Sequence, residues 1–128
     1  MFLGTFTPKL LGSGQIALPS RLRNALGSSR AVITSGFEHC VYGFSVADWE
    51  KTSSFELAKP LSTEEGRKIR RKMFAAAIEV DLDEQGRFVI PDYLKEYAGI
   101  DSEIVVAGAG DHFEIWDASE FKRITSET

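Results

Sequence analysis

The stretch Asp81-Leu82-Asp83-Glu84-Gln85-Gly86-Arg87-Phe88-Val89-Ile90-Pro91-Asp92-Tyr93-Leu94-Lys95-Glu96-Tyr97-Ala98-Gly99 decides how the chain is read. It predicts a strand, a tight turn, a second strand and a short helix. Gly86 supplies the positive φ that a tight turn between Asp83 and Arg87 requires. Phe88-Val89-Ile90 is apolar and β-favouring, and Pro91 ends it because proline cannot donate to a ladder. Asp92 suits the N-cap of a helix striped by Leu94, Tyr97 and Ala98, and Gly99 suits the position just past its end. The charged turn predicts exposure, and the residues after it are patterned for burial.

The same pattern occurs 72 residues earlier. Gly14-Gln15-Ile16-Ala17-Leu18-Pro19 falls on Gly86-Arg87-Phe88-Val89-Ile90-Pro91, Ser20 on Asp92, Leu22 on Leu94 and Arg23 on Lys95. Gly27 falls on Gly99, Gly36 on Gly108, Val41 and Phe44 on Phe113 and Trp116, Ser45 on Asp117, and Trp49 on Phe121. Turn, cap and aromatic positions kept in one frame predict two copies of a strand-strand-helix-strand-strand-helix unit. The expected divisions are residues 1–58, a connecting basic helix at 59–76, and residues 77–128. That helix is expected to open at a capping box of Ser62 and Glu65 and to run to about Ala76. Its window Arg67-Lys68-Ile69-Arg70-Arg71-Lys72 holds five of the fifteen basic residues. Like charges at i, i+4 repel, which suggests an anionic partner or acidic neighbours; a solvated helix face is the plainer alternative.

The 128 residues carry a net charge of −4, with 43% hydrophobic residues, as expected of a globular chain. Residues 1–60 sum to +2 and 61–128 to −6. An acidic chain with a concentrated basic patch can still bind phosphates when assembly brings several patches together. No apolar run suits a membrane span, and Met1-Phe2-Leu3-Gly4 lacks the features of a signal peptide, so cytoplasmic residence is the expectation. The lone Cys40 excludes an internal disulfide, and with only His39 and His112 beside it a Cys/His zinc site is not expected.

Asp81 and Asp83 share a face on a strand, but paired catalytic carboxylates need a pocket and an environment that splits their pKa values. There is no phosphate-binding Gly-rich loop, G-x-S-x-G or H-E-x-x-H. The reading is therefore a non-enzyme without cofactor. Arg87 can be plain surface charge and Asp83 an Asx-turn acceptor. The repeated aromatics Trp49, Phe121, Phe113 and Trp116 read as core.

Asp83-Glu84-Gln85-Gly86-Arg87, then Val89-Ile90-Pro91 and Leu94-Lys95-Glu96-Tyr97-Ala98-Gly99, resembles the MraZ family: a D-x-x-x-R signature followed by I-P-x-x-L-[RK]-E-Y-A-G. The Met1-Phe2-Leu3-Gly4 start, Asp48-Trp49-Glu50 and Glu114-Ile115-Trp116 are also similar, so the resemblance spans nearly the whole chain. It implies an α+β fold of two tandem AbrB-like swapped-hairpin β-barrel repeats with flanking helices, one chain mimicking an AbrB-type dimer. It further implies a transcriptional regulator of the bacterial division and cell-wall gene cluster. Such a protein would be nucleoid-associated and bind short direct repeats in double-stranded promoter DNA as a ring-shaped homo-oligomer. By that resemblance Arg87 contacts DNA and Asp83 holds the loop in shape, with Gln85 and Gly86 beside them. Arg71 sits where the family places an Arg before an apolar segment. The first copy departs: Leu11 and Gln15 occupy the signature positions, and Ser13 stands where a Lys is common. Gln15, Ser13 and Arg21 complete the expected DNA-facing set. The neutral first loop and acidic second half leave an alternative, an oligomeric protein-interaction module on the same fold with weakened or lost DNA binding.

Overall fold

Four of the six strand pairings join one repeat to the other, so neither repeat completes its own sheet. The computed structural model describes residues 1–126. The first repeat contributes β1 (Thr5–Phe6), β2 (Gln15–Ala17), α1 (Ser20–Leu26), β3 (Arg30–Ser35), β4 (Val41–Ser45) and α2 (Val46–Leu57). A short α3 (Glu64–Ile69) and a π-helical turn (Arg70–Phe74) follow. The second repeat supplies β5 (Ile78–Asp81), β6 (Arg87–Val89), α4 (Asp92–Ala98), β7 (Ile104–Gly108), β8 (Phe113–Asp117) and α5 (Ala118–Thr125).

The strands form a six-stranded antiparallel sheet, ordered β1-β7-β8-β4-β3-β5, and a separate two-stranded ribbon of β2 and β6. The expected α+β composition and twofold repetition are present; the hydrogen bonding leaves these as two sheets and does not close them into one barrel. Ile16 lies opposite Phe88 in the ribbon, and Tyr42 opposite Glu114 at the β4–β8 join. Each pair is separated by 72 residues, so a pseudo-twofold axis passes between the partners of both pairs. Ile16, Leu18, Phe88 and Ile90 face one side of the large sheet and close a single core with Phe2, Ile33, Val41, Val106, Phe113 and Ile115. Burial of these side chains contributes roughly 1.5–3 kcal/mol each and holds the ribbon to the sheet. On the sheet's other face, Phe44, Ile69 and Met73 form a smaller cluster with Trp49 and Phe74.

Several local expectations are corrected. The repeat offset is not constant. Gly36 N–H donates to the Cys40 carbonyl and Ala109 N–H to that of His112, so Gly36 corresponds to Ala109 and Gly108 to Ser35. Counted to Ala31 and Ile104, which face Ser45 and Asp117, the connection after the helix is one residue longer in the second repeat, and the hairpin that follows is one shorter, which shifts β7 alone to an offset of 73. Ser20 and Asp92 make no side-chain caps; they stand inside their helices, after Pro19 and Pro91. Ser45 and Asp117 do cap, accepting from Asp48 N–H and Glu120 N–H.

In the connecting segment the cap is Thr63, not Ser62: it accepts from Gly66 N–H at 3.0 Å and donates to the Pro60 carbonyl at 2.7 Å. The helical segment stops at Phe74, short of Ala76, and Thr34 and Ser35 donate to the carbonyls of Met73 and Lys72 at its end, satisfying acceptors that have no further turn to bond. A Cβ on Gly66 would lie 2.0 Å from the Pro60 carbonyl oxygen, so only glycine lets α3 pass that loop. Among the described residues no helix is long and apolar enough to cross a membrane.

Candidate nucleic-acid interface

The ribbon carries a tight turn at each end, and the two turns share one backbone plan. Asp83 N–H donates to the Arg87 carbonyl at 3.1 Å, and Gly86 N–H to that of Asp83 at 2.9 Å. In the first repeat Leu11 N–H donates to Gln15 at 3.0 Å, and Gly14 N–H to Leu11 at 2.9 Å. Gly14 and Gly86 take φ of 86° and 76°, values that L side chains rarely adopt. Each turn is stitched to the opposite repeat, Leu18 N–H donating to the Gly86 carbonyl and Ile90 N–H to that of Gly14, both at 2.9 Å. Strand alternation turns Ile16 and Phe88 into the core and sets Gln15, Ala17, Arg87 and Val89 on the outward face.

The side chains differ between the turns. Asp83 Oδ1 accepts from Gln85 N–H and Arg87 N–H, both at 2.9 Å, while Oδ2 accepts from Arg87 Nε at 2.6 Å. Arg87 also donates from a terminal nitrogen to Gln85 Oε1 at 3.2 Å. These bonds, led by that from Arg87 N–H, hold the Asp83 carboxyl below the usual carboxylate range. The guanidinium is thus oriented along one edge, and the Arg87 side chain remains about half exposed, at 48%. Nothing equivalent exists at Leu11–Gln15, where Leu11 is exposed and Ser13 and Gln15 carry no charge.

Two further basic residues meet the turns across the pseudo-twofold axis. Arg23 of α1 donates to the Glu84 carbonyl at 3.3 Å, and its side chain lies over Gly86, where a Cβ would meet Arg23 Cδ at 2.8 Å. Its counterpart Lys95 lies over Gly14, with Nζ 3.1 Å from the position of a Cβ there, and pairs with Asp92 at 3.2 Å. Sequence reasoning placed Arg23 and Lys95 in register but left both out of the site. A basic residue retained at the same helical position of both repeats was the available signal.

Asp83, Gln85, Gly86 and Arg87 thus share one turn, with Ser13 and Gln15 in its counterpart. Arg21 is exposed on α1. Arg71 is exposed on the π-helical turn, which packs on the face of the six-stranded sheet away from the ribbon, so the fold does not bring Arg71 to the turns. Much of the basic window has local work. Arg67 donates to the carbonyls of Leu61 and Ser62, Arg70 to those of Lys59 and Gly66, and Lys68 pairs with Glu64. Self-solvation of the connecting loop by these groups offsets the repulsion expected from like charges. Among the described residues no group of three or more His, Cys, Asp and Glu could hold a metal ion.

Comparison with known proteins agrees with this twofold construction. A family model described as "MraZ protein, putative antitoxin-like" matches twice, over residues 1–72 and 73–128. A protein of Roseiflexus castenholzii named Transcriptional regulator MraZ is 38% identical over 126 residues, covering 98% of this chain and 87% of its own. Proteins of the same name from Leuconostoc citreum and Lactiplantibacillus plantarum are each 36% identical over 128 residues, covering this whole chain and 89% and 90% of theirs.

Proposed function

The chain belongs to the MraZ family, and from that premise we propose that it is a transcriptional regulator that reads short direct repeats in double-stranded promoter DNA through the ribbon and its turns. The relatives' shared name supports regulation of transcription. The observation that carries the DNA-reading part is the Asp83–Arg87 clamp: a half-exposed arginine side chain, its guanidinium oriented in advance, on the outward face of a two-stranded ribbon. Such a ribbon fits the B-DNA major groove, and the free edge of an arginine fork matches guanine or a phosphate in two places. Arg23 braces the same turn and adds charge beside it. Gln15 and Ser13 offer the first turn's weaker, uncharged contact.

One such turn per subunit binds weakly, so the reading includes a homo-oligomeric ring that presents several in register and multiplies the effective concentration. The swapped-hairpin plan of AbrB-type proteins is supported by the strand pairings that cross between repeats. The proposed setting is the bacterial division and cell-wall gene cluster, in the nucleoid. No catalysis, cofactor or membrane takes part. Fluorescence anisotropy with a duplex of three short direct repeats, against one with the repeat spacing changed by half a helical turn, tests this. Preference for the native spacing by tenfold or more is expected, and equal affinity would refute repeat reading.

A second reading is favoured by one specific observation, the loss of both charges at Leu11–Gln15 together with an acidic second repeat. In it the same assembly serves protein contacts and has left DNA. Retention on heparin at low salt separates the two readings.

A further inference from the structure

The outward face of the ribbon is a platform of four side chains whose two halves differ. β2 and β6 pair with Gln15 opposite Val89, Ile16 opposite Phe88 and Ala17 opposite Arg87. Ile16 and Phe88 are buried, so Gln15, Ala17, Arg87 and Val89 point away from the core. The bonds from Leu18 N–H to the Gly86 carbonyl and from Ile90 N–H to that of Gly14 set the rhythm of the ladder. By alternation, Gln15–Val89 and Ala17–Arg87 are non-hydrogen-bonded pairs, in which facing side chains stand closest.

The pseudo-twofold axis relates Arg87 to Gln15 and Val89 to Ala17, and at both places the residue type has changed. Each level therefore sets one polar side chain against one apolar neighbour. Ala17 is small and leaves room for the long Arg87 side chain, which Asp83 and Gln85 hold. Gln15 is shorter and faces the bulkier Val89, which is 48% exposed. The Gln15 side-chain amide has no hydrogen-bond partner among the described residues, so its donor and its acceptor are both available.

Base edges in the major groove sort these groups. Guanine presents two acceptors and suits an arginine fork. Adenine presents an acceptor beside a donor and suits a glutamine amide, and thymine alone carries a methyl group. A valine has nothing but methyls to offer, and the thymine methyl is the matching surface. The two levels lie two residues apart, roughly 7 Å along the ribbon, so both fall within one short repeat.

We propose that Gln15 and Val89 form a second base-reading pair, specific for an A·T step, with Gln15 on an adenine edge and Val89 on a thymine methyl. The uncharged first turn then marks a changed base preference and not a lost contact. Unequal ends also give each ribbon one direction along the duplex, which suits direct repeats better than palindromes. The inference rests on the preceding reading, that the ribbon enters the major groove, and names the bases it meets there.

Selection from a random duplex pool, followed by anisotropy on the enriched duplex, tests this with the full chain. The parent is expected to enrich repeats that hold a guanine and, within a few base pairs, an A·T step. Deoxyuridine in place of thymine removes only the methyl. It should weaken the parent about fourfold for each methyl engaged and leave Val89→Ala unaffected. In the same way, 7-deazaadenine removes the adenine N7 acceptor. It should weaken the parent about fivefold for each contact and leave Gln15→Ala unaffected. Both variants should keep the parent's circular dichroism and its salt slope, since neither side chain meets a phosphate. Parent and variant responding alike to the base analogue, or a lower slope in Gln15→Ala, would overturn the proposal. A parent that enriches guanine without an A·T step overturns this inference alone. One that enriches no sequence removes the preceding reading with it.

Discussion

Asp83 holds Arg87 at two points, with Oδ1 on the backbone N–H at 2.9 Å and Oδ2 on Nε at 2.6 Å, so the loop and its guanidinium are fixed by one carboxylate. This makes Asp83 a positioning residue. Asp83→Ala leaves the Arg87 charge in place but frees it to sample rotamers. The expected result is a loss of DNA affinity of about tenfold, from roughly 1.4 kcal/mol of lost preorganisation per tenfold step. The salt dependence of binding, which counts phosphate contacts, should hardly change. A fall in the salt slope equal to that of an arginine deletion would show that Asp83 does more than orient.

The carboxylate also carries a pH signature. The folded pKa of Asp83 is depressed, so its contribution is present at neutral pH and is lost as pH falls below the usual carboxylate range through the depressed value. Amide exchange at Gln85 and Arg87, whose N–H groups Asp83 accepts, should accelerate on acidification relative to the intrinsic rate. In Asp83→Ala the same amides should be unprotected at every pH.

The first turn offers a gain of function. Its backbone hydrogen bonds repeat those of the second, so Leu11→Asp with Gln15→Arg should rebuild the clamp on a compatible scaffold. Binding to a direct-repeat duplex should tighten, and the salt slope should steepen by about one unit for each added contact. An unchanged slope would mean that the first turn does not face DNA.

His112 is paired by charge within the second repeat and packs its ring against the first. Its ring nitrogens lie 2.7 Å from Asp111 and 2.8 Å from Glu114, and it packs on Tyr42 and Phe44. Burial disfavours the imidazolium, but the bonds to Glu114 and Asp111 outweigh it and raise the pKa. For a raised pKa the stabilisation is complete below the unfolded value of about 6.5 and is lost as pH rises through the folded value. The thermal midpoint of the parent should therefore fall as pH rises through that range, relative to His112→Gln. Equal pH profiles would show that the pair adds no net stability.

The shared core predicts cooperative unfolding. Ile16→Ala or Phe88→Ala opens a cavity at the pseudo-twofold axis and should cost about 2–5 kcal/mol in urea unfolding. Because four strand pairings cross between repeats, both variants should retain one transition with an unchanged slope. Two separated transitions would mean that the repeats fold independently.

The order of strands and helices was legible because the 72-residue frame repeats turns, caps and aromatics together. The pairing of strands across the two repeats was not legible from periodicity: β1 and β5 look alike in sequence whichever sheet they join. Gly36 and Gly108 aligned in the frame yet are not equivalent, because two compensating loop changes shift β7 by one residue without disturbing the flanking motifs. The loop-holding role of Asp83 came with the family resemblance, and its ion pair with Arg87 was not read from the spacing. Arg23 did not announce its place over Gly86, since that contact exists only across the pseudo-twofold axis. Arg71 was grouped with the site by its charge and its family position. Packing of Ile69 and Met73 carries it to the opposite face.

The most direct test is the salt dependence of binding between Arg87→Ala and a direct-repeat duplex, measured beside the parent. The variant is expected to bind at least tenfold more weakly, with a slope reduced by about one unit per subunit engaged. An Arg87→Ala protein that binds as tightly as the parent, with the same slope, would contradict the role assigned to this turn.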